Sequence, residues 1–233
     1  MPDYIFKTYI DSGREYYEYT DATDREQTIK KDFPFPESLM ELLYMDTQEL
    51  EAITKKMDKA LLVFYQSGAK DDLQVVAAGL DELASRHVYF ELLRLDWTER
   101  LMAAERVTPK EYLRLLPHKK ISHIYSNIDT MQRQIISLIA HALDMDGEKK
   151  SVSEKMVAYY NTEGNDTLYT FQFQPQPVNF EVIDRRIFAE VLYPKDIYDL
   201  IDHHIRECVK REVRMRVCKN CLRYFAVTGK AST

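Results

Sequence analysis

The chain predicts an α+β protein that is mainly α: a multi-helix domain with one or two small β-hairpins, closed by a long C-terminal helix leading to an incomplete zinc knuckle. Three observations carry that expectation. Apolar residues recur at three- and four-residue spacing through most of residues 38–143. Gly is scarce, at 6 residues, while Tyr is abundant, at 16, a balance that suits helices around an aromatic core better than a turn-rich sandwich. Cys218-Lys219-Asn220-Cys221 follows the last amphipathic segment, and its two-residue spacing lets a tight turn aim two sulfurs at one tetrahedral ion.

Composition removes several classes. With 233 residues the chain is long enough for a sizeable core. Its 45% hydrophobic and 30% charged residues exclude a disordered chain. No run approaches the ~18 apolar residues of a membrane span, and Met1-Pro2-Asp3-Tyr4 lacks a basic stretch leading into an apolar one. A cytoplasmic protein without membrane partners is expected, and three cysteines fit a reducing compartment better than a disulfide framework. The net charge of -6 argues against a surface that coats nucleic acid throughout. The sign is unevenly spread, however. Residues 203–233 hold eight Lys/Arg against two acids, so an acidic body ends in a basic segment. The expected division is a helical body over 1–194 and a basic helix with a truncated knuckle over 195–233.

Taken in order, residues 4–10 and 15–20 alternate around Asp11-Ser12-Gly13 and predict a β-hairpin. Residues 21–32 are polar and read as a connection. Phe33-Pro34-Phe35-Pro36 blocks regular structure, after which Ser38 and Glu41 form a capping box for a short helix. Asp46 or Thr47 starts a second helix with Leu50, Ile53, Met57, Leu61 and Phe64 on one face, stopped by Ser67-Gly68. Asp71-Asp72 opens a third, with acids at the positive end of its dipole. His87 sits beside its stripe without a ligand at metal spacing and reads as a hydrogen-bonded core residue. Trp97 anchors packing ahead of a short helix near Leu101. Thr108-Pro109-Lys110-Glu111 combines an N-cap, a first-turn Pro and a third-position Glu.

Ile121, Ile124, Ile128, Met131, Ile135, Leu138 and Ala142 form a heptad seam widened by Ile136, Ile139 and Leu143. That width points to a central helix of the domain's own core, with homodimerisation as the alternative. Asp144-Met145-Asp146-Gly147 fails the calcium-loop register, because the first and twelfth positions would be Ala142 and Ser153. A short helix over 152–160 and a second hairpin over 167–183 are expected next. In that hairpin, Tyr169, Phe171 and Phe173 could stack on bases, but no Lys or Arg flanks them, so core packing is the favoured reading. Asp196 starts the last helix, whose final turns, through Arg216, become basic.

Chemistry is thinly represented. The six glycines are isolated, which removes phosphate loops. His203-His204 and the pair His118/His123 lack the spacing of a zinc protease, and Cys208, one turn from His204, lies on an apolar face. A catalytic reading stands third, as an enzyme with a pocket among the helices whose first sign would be a deep polar cavity holding clustered His and acids. Cys218 and Cys221 stand out, in a basic setting that favours thiolates, and a redox Cys pair would need a strand-to-helix context that is missing.

The run Cys218-Lys219-Asn220-Cys221-Leu222-Arg223-Tyr224-Phe225, with Thr228-Gly229-Lys230 beyond, resembles the C-terminal module of uncharacterised bacterial domain-of-unknown-function proteins. There a helical region precedes a Cys-x2-Cys knuckle, usually followed by a second cysteine pair. More distantly it is similar to the CGNR-type zinc finger. The resemblance covers only this end and departs at Leu222, where such knuckles often have Gly, and in lacking the second pair. It implies zinc at Cys218 and Cys221 and DNA as a partner, and no activity for the body.

The leading expectation is a non-enzymatic protein whose half knuckle binds zinc and contacts nucleic acid through Lys210, Arg211, Arg214, Arg216, Lys219 and Arg223. The alternative is an interaction or assembly module in which the knuckle is only structural. Four ligands are needed and two are present: a second Cys pair beyond Thr233 would complete the site, whereas a stop at Thr233 would demand ligands from another chain or no zinc at all.

Overall fold

The computed structural model describes residues 4–22, 24–68, 70–104, 123–145, 149–161, 171–177 and 179–227. Strands β1 (Phe6–Asp11), β2 (Arg14–Thr20) and β3 (Thr28–Pro34) come first. Helices α1 (Glu37–Leu43), α2 (Thr47–Ser67), α3 (Asp71–Arg86) and α4 (Tyr89–Ala104) follow. Helix α5 (His123–Leu138) runs into a π-helical turn, Ile139–Leu143. Then come α6 (Val152–Asn161), β4 (Asn179–Ile183), β5 (Ile187–Leu192), α7 (Ile197–Lys210), β6 (Met215–Val217) and β7 (Tyr224–Ala226). The architecture is α+β, and among the described residues seven helices accompany a five-stranded antiparallel sheet and a two-stranded one. None of these helices is long and apolar enough to cross a membrane.

The expected N-terminal hairpin is β1–β2, turning through Ser12 and Gly13 at φ 49° and 77°, the left-handed pair that a two-residue turn between twisted strands requires. It is not isolated. The sheet order β3-β2-β1-β5-β4 joins it to β5 through Thr8↔Leu192 and Tyr9↔Val191, a pairing across most of the chain that no local pattern announces. Residues 28–34, expected as connection and breaker, are instead β3. Its alternately exposed Lys30 and Asp32 and its Pro34 suit an edge strand, where main-chain pairing to β2 supplies the hydrogen bonds and one face is wet. The second hairpin also differs. Residues 162–170 lie outside the described set, residues 171–177 carry no strand, and β4 pairs with β5 around Asp184 and Arg185 at positive φ.

The sheet curls strongly. Lys30 on the outermost β3 reaches Asp184 in the β4–β5 turn at 3.5 Å as well as Glu18 at 3.3 Å, while Lys7 spans Glu18 and Glu181. A small cluster of Tyr9, Ile183, Ala189 and Val191 fills the inside of the curl. The opposite face, with Phe6, Tyr17 and Tyr19, meets the helices and forms the main core. Phe180, Val182 and Phe188 share the strand parity of that face but remain 62%, 65% and 72% exposed.

Helices α2 and α3 follow their apolar stripes; α2 is capped by the Asp46 carboxylate on Gln48 N–H and ended by left-handed Gly68, whereas α3 has Asp71 and Asp72 in its first turn and no side-chain cap. Gly79 lets them touch, since a β-carbon there would lie 2.4 Å from Met57 Cγ. Trp97 lies within α4 rather than before it, and is buried. Ile128, Ile135, Leu138 and Ala142 of the heptad seam point into the main core, so α5 spends its stripe internally. The expected Thr108 cap, Ile121 and Gly147 fall outside the described residues. Helix α1 lacks the expected capping box. The Ser38 side chain caps nothing, and the Ser38 N–H donates to Glu15 Oε1 at 2.7 Å, so a sheet residue satisfies this end.

Candidate metal centre

Helix α7 decides where the basic segment goes. Asp196 caps it by accepting from the N–H groups of Tyr198 and Asp199, and Leu200, Ile201, Ile205 and Cys208 sink into the main core. The helix was expected to stay helical and basic through Arg216, yet it stops at Lys210. Glu212 turns left-handed at φ 50°, and Val213 N–H returns to the Cys208 carbonyl at 2.9 Å, a terminus that satisfies carbonyls the helix would otherwise leave open.

That stop divides the six candidate cations. Lys210 binds Glu207 and Glu190, and Arg211 binds Glu207 and donates to the Ile10 carbonyl. Burial pushes the Glu207 carboxyl up, but its bonds to Lys210 and Arg211 outweigh this and hold it below its ordinary value. These two cations therefore join helix to sheet. Arg214 and Arg216 fall in and before β6, Lys219 in the turn, and Arg223 before β7, all exposed. In the β6–β7 register Arg216 faces Phe225, which is 46% exposed, while Met215 and Val217 alternate toward the body. Arg214, Arg216, Lys219, Arg223 and Phe225 thus gather on and around one small hairpin.

Cys218 and Cys221 stand at its turn. Cys218 N–H donates to the Arg223 carbonyl at 2.8 Å and Leu222 N–H to the Cys218 carbonyl at 2.8 Å. Leu222 is left-handed at φ 56°, the conformation for which knuckles favour Gly, so this chain makes the turn without the glycine. The backbone N–H groups of Cys221 and Asn220, with the Cys221 side chain, hold the Cys218 thiol below its ordinary value. N–H groups aimed at a sulfur favour the thiolate, which is the ligating form. The donor set is soft, paired and partly exposed, which fits zinc in kind. It fits in number only by half, because no group of three or more metal-ligating side chains occurs among the described residues.

The hairpin is pinned to the body. Tyr224 N–H donates to the Tyr44 hydroxyl and Tyr224 OH to Asp144 Oδ2, Arg223 lies 5.0 Å over the Tyr44 ring, and buried Met215 bridges to Asp144. The site thus has a fixed place beside the end of α1 and the π turn of α5.

One polar cluster had no sequence signal. Glu15, Tyr17 and His204 are wholly buried. His204 Nδ1 meets the Leu200 carbonyl at 2.8 Å, which assigns its proton there and leaves Nε2 to accept from Tyr17 OH at 3.1 Å. Glu15 Oε2 stands 3.4 Å from the same Nε2. Burial raises Glu15 to about 8 and lowers His204 to about 3, so both are neutral near pH 7. His87 is also internal, with Nε2 at 2.8 Å from the Ser38 carbonyl. Cys208 is buried and its thiol pushed well up by desolvation. Glu15, Tyr17, His204 and Cys208 are thus all buried among the described residues, 1% exposed or less.

No family model, curated protein or solved structure matches the chain.

Proposed function

We propose that the β6–β7 hairpin is a zinc-binding knuckle that presents Arg214, Arg216, Lys219, Arg223 and Phe225 to nucleic acid, and that the protein works by binding rather than catalysis. The observation that carries this reading is the left-handed Leu222 turn with Cys218 and Cys221 at its apex. A leucine held in that conformation, beside a thiol favoured as thiolate, is a cost that a plain hairpin would shed. Cations interleaved with an exposed aromatic ring suit a flexible single strand, where guanidinium groups meet phosphate and the ring stacks on a base. The resemblance to bacterial knuckle modules and CGNR-type fingers points the same way. Two further ligands come from outside the described residues, and a second copy of the hairpin is one source.

Cobalt titration of the chain tests the metal. Thiolate-to-cobalt absorption should appear and vanish in Cys218→Ser. Retention on single-stranded oligonucleotides should fall with salt, and Arg214→Gln with Arg216→Gln should flatten that dependence by about one unit of log–log slope per cation. Absence of the absorption overturns the zinc reading, and an unchanged slope overturns the nucleic-acid face.

The pinning by Tyr44 and Asp144 favours a second reading, in which the knuckle is a structural clip and the body assembles with other proteins. A concentration-dependent mass in sedimentation, indifferent to a chelator, would select it.

A further inference from the structure

Strands β3 and β4 are the two edges of the five-stranded sheet, and they are finished differently. An open edge is a row of unpaired N–H and C=O groups that recruits other strands unless charge, proline or a bulge blunts it. β3 is blunted, since Lys30, Lys31 and Asp32 line it and Pro34 ends it. β4, Asn179–Ile183, has no lysine, arginine or proline, and among the described residues it pairs with β5 alone. Its single charge, Glu181, turns into the curl, where Lys7 at 3.8 Å and the Tyr193 hydroxyl at 2.7 Å hold it. On the other face Phe180, Val182 and Phe188 are open to solvent, with Phe180 stacked on Phe188 at 5.6 Å between ring centres. An unguarded edge beside an apolar face is a site for strand addition.

The register of β4 suits its own copy. The Ile183 carbonyl accepts from Arg186 N–H within the β4–β5 hairpin, so Ile183, Glu181 and Asn179 turn their main-chain groups toward β5. Phe180 and Val182 therefore turn theirs outward. Antiparallel pairing about a two-fold axis at Phe180 lets that residue and its copy exchange both main-chain bonds, ring beside ring. It also sets Glu181 opposite Asn179, so no like charges meet, whereas an axis one residue on would oppose two carboxylates. Phe180, Val182 and Phe188 from both copies would bring together roughly 700 Å² of exposed apolar surface. With the paired main chain this reaches the low end of specific interfaces, where reversible complexes lie.

We propose that two copies of this chain pair through β4, antiparallel about a two-fold axis at Phe180, joining their five-stranded sheets into one. The pairing rests on the second reading above, in which the body assembles, and names the partner as another copy of the chain; it makes no use of the metal. It stops at two, because the edges left on the joined sheet are the guarded β3 strands.

Sedimentation of the full chain over a concentration series in chelator, with amide hydrogen exchange read at both ends of the series, tests the pairing. The wild type should pass from one copy to two, and the Phe180 and Val182 amides should exchange at least tenfold more slowly at the concentrated end. Phe180→Lys gives β4 the kind of charge that guards β3 and should hold the chain as a single copy throughout. Because Phe180 is exposed, the thermal midpoint of the dilute variant should match the wild type's, which reads folding separately. Phe188→Ser lies off the edge and should weaken association about tenfold or more. A wild type that stays a single copy overturns the proposal, and so does exchange at Phe180 and Val182 that ignores concentration. A pair that survives Phe180→Lys would keep the assembly reading but overturn its placement at β4. Mass that grows beyond two copies would overturn the two-fold, and a pair lost in chelator would assign the contact to the knuckle instead.

Discussion

The Glu15–Tyr17–His204 cluster and the Cys218–Cys221 hairpin both concentrate polar chemistry, but they answer its cost in opposite ways. Inside, a carboxyl and an imidazole lose their solvent and give up their charges, so that neutral partners hold one another across the sheet, α1 and α7. Outside, two thiols keep access to water, and backbone N–H groups favour the charged form of Cys218. The same reactive residue types are thus neutral and internally bonded in one region and open to solvent in the other. The closed cluster specifies how the elements fit together, since a buried polar group tolerates few alternative partners.

The difference should be largest in the response to pH. Glu15 has its folded value raised to about 8 from an ordinary 4.5. Its favourable contribution is complete below 4.5 and is lost as pH rises toward 8, because the unfolded chain releases a proton that the folded one retains. The buried histidines act in the opposite sense and only below their ordinary 6.5. Between 6.5 and 8 the histidines no longer contribute and the falling slope reports Glu15, from which about 2 kcal/mol should disappear there. Glu15→Gln keeps an acceptor for Ser38 N–H and should flatten the thermal midpoint across that window; a slope as steep as the wild type's would mean that Glu15 is not the titrating group. Next in size, Tyr17→Phe strips His204 Nε2 of its donor and should cost about 1.5 kcal/mol in urea unfolding. The smallest effect has the opposite sign. Leu222→Gly relieves a left-handed leucine whose side chain is 76% exposed, and should stabilise by about 0.5–1 kcal/mol in the same assay. A loss of stability there would show that the Leu222 side chain packs on something.

The sequence discloses the open region far better than the closed one. Cysteine spacing is local, and so are the Ser12–Gly13 turn, the stripes of α2 and α3 and the Asp196 cap, all of which stand where their patterns put them. Glu15 looks in sequence like a charge on a solvated strand face. Its N–H donor Ser38 lies 23 positions away, and Tyr17, two residues along the same strand, meets His204 across 187. Strand β3 has no local signal for a related reason: as an edge strand of Thr, Lys and Asp it needs no apolar alternation, only β2 beside it. The basic tract was legible as composition but not as geometry. Nothing in the spacing of six cations reveals that Glu207 takes Lys210 and Arg211 out of the group, or that Glu212 ends the helix before Arg214.

The bond from Tyr224 N–H to the Tyr44 hydroxyl spans 180 positions. Contacts of such separation form late, because the intervening chain must be organised before its closure entropy is recovered. Tyr44 and Asp144 precede the hairpin residue they hold, Tyr224, by 180 and 80 positions. The Cys218–Cys221 turn is therefore tied to residues far back in the chain and is held against the body rather than left as a free tail.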